Sequence, residues 1–270
     1  FHHLVRDHGP LHAVRDLEVS GVPVRLYVPK DAEALPVHVH LHGGGWWMGS
    51  LETVDPMARE LAHVSGMAVV SVGYRLAPEH PYPAGLDDAI AVLTNLTEDV
   101  LGFRPTTLSI GGESAGGNLT AAACLRLRDE GGPALAAQWL DVPAVDLTGP
   151  EDDSMRAYGT GYGLEMAQLS VLTAWYGADV TDPHVSPALA DDLTCLPPAI
   201  VTTGECDPVR DQGARYAEAL QAAGNDVVYR CNPGQVHASS WFTALTEANA
   251  AWYDETVALL VARHQAVLAR

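Results

Sequence analysis

A serine flanked by small residues, Gly112-Glu113-Ser114-Ala115-Gly116, is the strongest chemical signal in the chain. It follows the apolar run Leu108–Ile110 and opens an alanine-rich stretch, so the spacing predicts strand, tight turn and helix. A serine on such a turn is held in a strained backbone conformation that lifts its hydroxyl clear of the sheet. Side chains two residues to either side would collide there, hence glycine at 112 and 116. The turn also sets Ser114 at a helix N-terminus, where free N–H groups favour developing negative charge. Upstream, His42-Gly43-Gly44-Gly45 follows the short strand expected over Val37–Leu41. Glycine amides approach a bound carbonyl with no Cβ in the way. Together with the N–H of Ala115 they can hold an oxyanion. Loss of one such donor costs on the order of 3 kcal/mol of transition-state stabilisation.

A serine hydroxyl is a weak nucleophile at neutral pH and needs a base beside it. On a strand–turn–helix nucleophile the partners follow in the order Ser, Asp or Glu, His. Beyond the late strand expected over Ala199–Thr203, the histidines are His237 and His264. His264 sits in an apolar, helically spaced stretch and reads as a surface or packing residue. His237 lies in the loop Asn232-Pro233-Gly234-Gln235-Val236-His237, just past a strand ending at Cys231, where a base would be presented. The carboxylate candidates are Glu205, Asp207 and Asp211. Asp207 is favoured because Gly204-Glu205-Cys206-Asp207-Pro208 is a loop at a strand end, whereas Asp211 falls on the first turn of a helix. Such chemistry requires no metal and no organic cofactor.

These groups need a scaffold that presents strand ends together. Val22–Val28 alternates and reads as an edge strand between prolines. Met67–Val72 is a continuous apolar run, as in a strand buried on both faces. Strands are also expected near Thr107–Ile110, Ala136–Leu140 and Val227–Cys231, and helices near 55–65, 87–99, 115–129, 164–176, 209–223 and 241–267. This alternation predicts an α/β fold, a mostly parallel central sheet covered by helices on both faces. The expected organisation is an N-terminal tail over residues 1–20 and one catalytic domain over 21–270, with an insertion at about 150–195. That insertion is rich in Gly, Asp and Pro and falls near the carboxyl edge of the sheet, where ligand sites form.

The chain has 270 residues, 47% of them apolar and 18% charged, a globular composition. Lys plus Arg number 15 against 34 Asp plus Glu, a formal charge of −19. Such a surface repels phosphate backbones and anionic lipid, so nucleic acid is not an expected partner. No apolar run has the roughly 18–20 residues of a membrane span. Cys124, Cys195, Cys206 and Cys231 show no C-x-x-C spacing and read as idle or buried thiols of a reducing compartment. The expected location is the cytoplasm, with an export signal upstream of Phe1 left open. The apolar spacing of Trp252, Val257, Leu260 and Val261 suits burial against the core or against a second copy in a homodimer.

The stretches HGGGWWMGS (42–50), SVGYRLAPEHPYPAGLDDA (71–89), GGESAGGNLTAAA (111–123), GECDPVRDQG (204–213) and Ser186-Pro187 together resemble the hormone-sensitive-lipase-like esterases of the α/β-hydrolase superfamily, the bacterial family IV. The resemblance implies an α/β-hydrolase fold with Ser114 as nucleophile, Asp207 as orienting acid and His237 as base. It implies Gly43, Gly44 and Ala115 as oxyanion donors, and His42 as a support of the glycine loop. It also implies that residues 1–20 are the remnant of a cap and that the 150–195 insertion is cap-like. The implied activity is hydrolysis of short- to medium-chain carboxylic esters, small molecules, through an acyl-enzyme. Trp46 and Trp47, beside the glycines, are the expected substrate-binding walls. Two alternatives share the machinery or the fold: an amidase or deacetylase, and a non-catalytic ligand-binding homologue. The sequence departs from the family at Gly73, where relatives carry Asp, and at Ala238-Ser239, where they carry Gly-Phe.

Overall fold

The computed structural model describes residues 2–149 and 151–269. Its frame is an eight-stranded sheet in the order β1-β2-β4-β3-β5-β6-β7-β8. The strands are β1 (Ala13–Val19), β2 (Val22–Val28), β3 (Ala34–Leu41), β4 (Ala68–Val72), β5 (Arg104–Glu113), β6 (Gln138–Asp141), β7 (Ala199–Gly204) and β8 (Val227–Asn232). The β1–β2 and β2–β4 pairs are antiparallel, and every pair from β4 to β8 is parallel. The parallel strands therefore all deliver their carboxyl ends to one edge, where ligand sites of open α/β sheets lie.

Strand β1 occupies residues expected to form a loose tail. It pairs with β2 from Ala13↔Val28 to Val19↔Val22, so β2 is an inner strand and β1 takes the edge. Its pattern, AVRDLEV, spreads three charges along seven residues and buries only Val19, which hides the strand from a hydropathy reading. Charge on an exposed edge is also how a sheet avoids pairing with another molecule.

Helices α1 (Asp55–Ser65) and α8 (Glu247–Leu268) cover one face, and α2 (Ala84–Asn95), α4 (Ala115–Glu130) and α7 (Arg210–Ala222) cover the other. Each layer has its own core: Leu61, Tyr253, Val257 and Leu260 on the first side, Leu86, Leu119 and Tyr216 on the second. The short α3 (Glu98–Leu101) leads into β5. Strand β3 divides its side chains between the layers. Val37, Val39 and Leu41 join the second core, while His38 and His40 turn toward the first, beside Trp139 and Trp241. The 150–195 region, whose first residue Pro150 lies outside the described residues, holds α5 (Asp153–Tyr158), α6 (Met166–Tyr176) and a 3₁₀ turn at Pro187–Leu189. Helix α6 carries no charged side chain and buries only Tyr176. No described helix is long and apolar enough to cross a membrane.

Candidate active site

Strand β5 runs into α4 through Ser114, which sits at φ 56°, ψ −116°, a region closed to most L-residues. The strain is over-determined by its surroundings. The Ser114 N–H donates to the carbonyl of Asp141 at 2.9 Å, and its own carbonyl accepts from Asn118 N–H at 2.9 Å. A Cβ on Gly116 would stand 2.0 Å from the Leu41 carbonyl oxygen, so the end of β3 and the start of α4 meet only because glycine is there.

Three side chains from three strand ends converge. His237 Nε2 lies 2.8 Å from Ser114 Oγ, and His237 Nδ1 lies 2.9 Å from Asp207 Oδ2. A carboxylate only accepts, so Nδ1 carries the proton and Nε2 is free to accept from the serine hydroxyl. Asp207 is fully buried and its other oxygen accepts from the Val209 N–H at 2.9 Å. Glu205 does not compete for the base: its carboxylate takes the Gly234 N–H at 2.7 Å and so ties the acid loop to the base loop. Asp211 pairs with Arg210 and Ser154. Burial pushes the His237 pKa down, but the Asp207 carboxylate, with Asp141 and Glu113 beyond it, outweighs that and holds it above the ordinary histidine value.

The glycine loop departs from expectation at one position. Gly43 donates its N–H to Glu113 Oε1 at 2.6 Å, so this amide is occupied and does not face a substrate. Among the described residues, the amides of Gly44, Gly45 and Ala115 make no hydrogen bond. The chain turns away after Gly43 because Gly44 adopts φ 118°, where a Cβ would meet the Met48 carbonyl oxygen at 2.2 Å. His42 supports the loop as expected: its Nδ1 donates to the Gly43 carbonyl at 2.8 Å and its ring stacks on Tyr74 at 4.2 Å.

Glu113 was missed by the sequence reasoning, although it stands inside the serine motif. Its second oxygen lies 3.1 Å from His40 Nε2. Burial pushes its carboxyl up, yet His40 and the Gly43 amide more than compensate and keep it below the usual glutamate value. An ionised carboxylate is therefore locked beneath the glycine loop.

The two tryptophans part company. Trp46 takes φ 64° and turns inward, 2% exposed, with its ring stacked on Tyr176 at 4.6 Å. It is a core residue and not the substrate wall expected from its neighbours. Trp47 is 39% exposed and meets Trp175 of α6 edge-on at 5.4 Å. The turn after the YRLAP stretch is fastened by Arg75 to Asp88 at 2.8 Å. No group of three His, Cys, Asp or Glu side chains among the described residues could hold a metal ion.

Residues 38–240 match the family described as alpha/beta hydrolase fold. The carboxylesterase NlhH of Mycobacterium tuberculosis is 42% identical over 243 residues, covering 86% of this chain and 75% of that protein. The carboxylic ester hydrolase LipN of the same organism is 38% identical over 262 residues, covering 92% and 69%. Among solved structures, the thermostable carboxylesterase EstE1 from a metagenomic library superposes with a TM-score of 0.89 at 35% identity, over 96% of this chain and 91% of that one. The hyperthermophilic esterase of Pyrobaculum calidifontis does so with 0.87 at 36% identity, over 96% and 87%.

Proposed function

The chain belongs to the α/β-hydrolase fold family, to its hormone-sensitive-lipase-like carboxylic ester hydrolases, and from that premise we propose that Ser114, His237 and Asp207 carry its ester hydrolysis. The observation behind the assignment is the unbroken line from Ser114 Oγ through both ring nitrogens of His237 to a buried carboxylate. His237 accepts the serine proton as Oγ attacks the ester carbonyl. The resulting oxyanion is held by the amides of Ala115, Gly44 and Gly45. The imidazolium, steadied by Asp207, then returns the proton to the leaving alcohol, and water repeats the cycle on the acyl-enzyme. Gly43 serves at one remove, its amide anchoring the loop to Glu113.

The substrate wall of this reading is apolar. Trp47 and Met48, directly after the glycines, are exposed, and the uncharged helix α6 meets this loop through Trp175 on Trp47 and Leu172 beside Gly45; esters of short to medium acyl chains suit that surface. A small-molecule ester, not nucleic acid, fits a chain of charge −19. The four unpaired thiols favour a cytoplasmic location. The unshared edge of β8, where Tyr229 is exposed, is the surface offered for a homodimer; Val257 and Leu260 of α8 are already buried within the chain.

Hydrolysis of p-nitrophenyl esters of increasing acyl length, beside the matching anilides, tests the reading. The expected result is a maximum among the shorter esters and little anilide turnover. Ser114→Ala should lower kcat by roughly 10⁵- to 10⁶-fold, the scale seen when a serine nucleophile is removed. A variant retaining more than a few per cent of ester turnover rejects the assignment.

A further inference from the structure

Asp141 closes β6, at the foot of the site, as a charged residue ending the otherwise uncharged run Gln138-Trp139-Leu140. It is 2% exposed and, among the described residues, meets no arginine or lysine. A carboxylate buried so deeply without a cation survives only if every lone pair is used. Here three donors converge on it: Ser240 Oγ at 2.9 Å and Trp241 Nε1 at 2.6 Å on one oxygen, and the Thr202 hydroxyl on the other. Burial pushes the carboxyl's pKa above the ordinary aspartate value, and the three donated hydrogen bonds oppose that rise by favouring the anion.

What makes the arrangement informative is which segments those donors belong to. Ser240 and Trp241 form the 3₁₀ turn that directly follows His237. Thr202 sits on β7, the strand that leads to Asp207. The main-chain oxygen of Asp141 accepts the Ser114 N–H at 2.9 Å. The next residue, Val142, is held at φ 40° although it is β-branched and precedes a proline. Both features oppose that conformation, and such strain persists where surrounding contacts over-determine it. Its N–H is bonded to the Thr202 carbonyl at 2.8 Å.

We propose that Asp141 is a positioning residue for this hydrolysis: its carbonyl oxygen fixes the nucleophile's amide while its carboxylate fixes, and faces with negative charge, the turn that carries the base. The proposal rests on the reading of Ser114 and His237 as nucleophile and base. Asp141 is among the charges that hold the His237 pKa up. The other ionisable groups facing this cluster are Asp207 from the β7–α7 loop, Glu113 at the end of β5, His40 on β3 and Tyr253 on α8. Asp141 differs from them in binding the base's own turn.

Two substitutions separate position from charge. Asp141→Asn keeps an acceptor for Ser240 and Trp241, and its amide can donate to the Thr202 hydroxyl, so the turn stays but the charge goes. Asp141→Leu removes the acceptors as well. Each protein is assayed with p-nitrophenyl acetate for kcat and KM across pH, beside its melting temperature and its stoichiometric labelling by a fluorophosphonate. The expected result for Asp141→Asn is an acid limb of kcat/KM displaced to lower pH. For Asp141→Leu, kcat falls on the order of 10²-fold with KM little changed, as misplacing a catalytic group does. An acid limb in Asp141→Asn that coincides with the parent's overturns the proposal, whatever Asp141→Leu does, and that comparison decides the matter if Asp141→Leu fails to fold. Retained turnover in Ser114→Ala would instead reject the underlying reading, so the two failures are distinguishable.

Discussion

The carboxylate behind His237 sets two pH dependences of opposite sign. Catalysis needs the neutral imidazole, so kcat/KM should fall as pH drops through the pKa of His237 in the free enzyme. Because Asp207 and its neighbours hold that pKa above the ordinary value of about 6.5, the acid limb should lie above it too. Stability runs the other way. A histidine whose folded pKa is raised contributes fully below its unfolded pKa and loses that contribution as pH rises through the folded one. A kcat/KM profile with its acid limb at or below the ordinary histidine value would contradict this. At this scale the sequence was legible where chemistry restricts the residue type: Ser114, Asp207 and His237 stand in loops whose flanking strands have clear apolar signatures. It was not legible where the choice depends on an amide's direction. Nothing in His42-Gly43-Gly44-Gly45 says that the first glycine amide turns to Glu113 and that the next two stay free, because that is decided by backbone angles glycine leaves open.

Elements whose hydrophobic period is strong were readable to within a few residues. Helix α1 spans Asp55–Ser65 as expected, and α4 ends at Glu130, capped by Gly131 in the left-handed region. Strand β1 and helix α5 escaped because one is a polar edge and the other is six residues with a single buried side chain. The loop after β8 carries a conformational cost at a position where the sequence departs from the family. Ala238, directly after His237, takes φ 57°, ψ 10°, a conformation that costs a non-glycine residue about 1–2 kcal/mol. Ala238→Gly should therefore stabilise the protein by about 1 kcal/mol, raising Tm by roughly 2–4 °C at this chain size, with the Ser239 bonds to Gln235 and Val236 kept. A differential scanning calorimetry trace with unchanged or lowered Tm would show that the strain is relieved elsewhere.

Across the whole molecule, the layer beneath the sheet carries buried histidines where apolar side chains would be the simple choice. His264 of α8 lies between Thr107 at 2.6 Å and Ser109 at 2.7 Å, and Ser109 Oγ lies 2.9 Å from His38 Nδ1. This chain ties the last helix to β3 and β5. Burial pushes His264 down to about 4, so the folded state holds it neutral while the unfolded chain binds a proton near pH 6.5. The stability it supports is complete above that pH and is lost as pH falls toward 4, to the extent of about 3 kcal/mol. Urea melts of the parent should show this loss, and His264→Gln, which keeps hydrogen-bonding capacity without titrating, should flatten it. Equal pH slopes in the two proteins would contradict the account. The sequence left His264 as either a surface or a packing residue; it is buried, and its polar partners come from strand β5, some 155 residues away in the chain, beyond any local pattern.

All of this turns on one covalent event at one oxygen. The folded protein, treated with a fluorophosphonate and digested for peptide mass spectrometry, should carry a single adduct on Ser114, with ester hydrolysis lost in proportion to labelling. Protein that is folded and hydrolyses esters yet carries no adduct on Ser114, or carries it at another residue, would contradict the account.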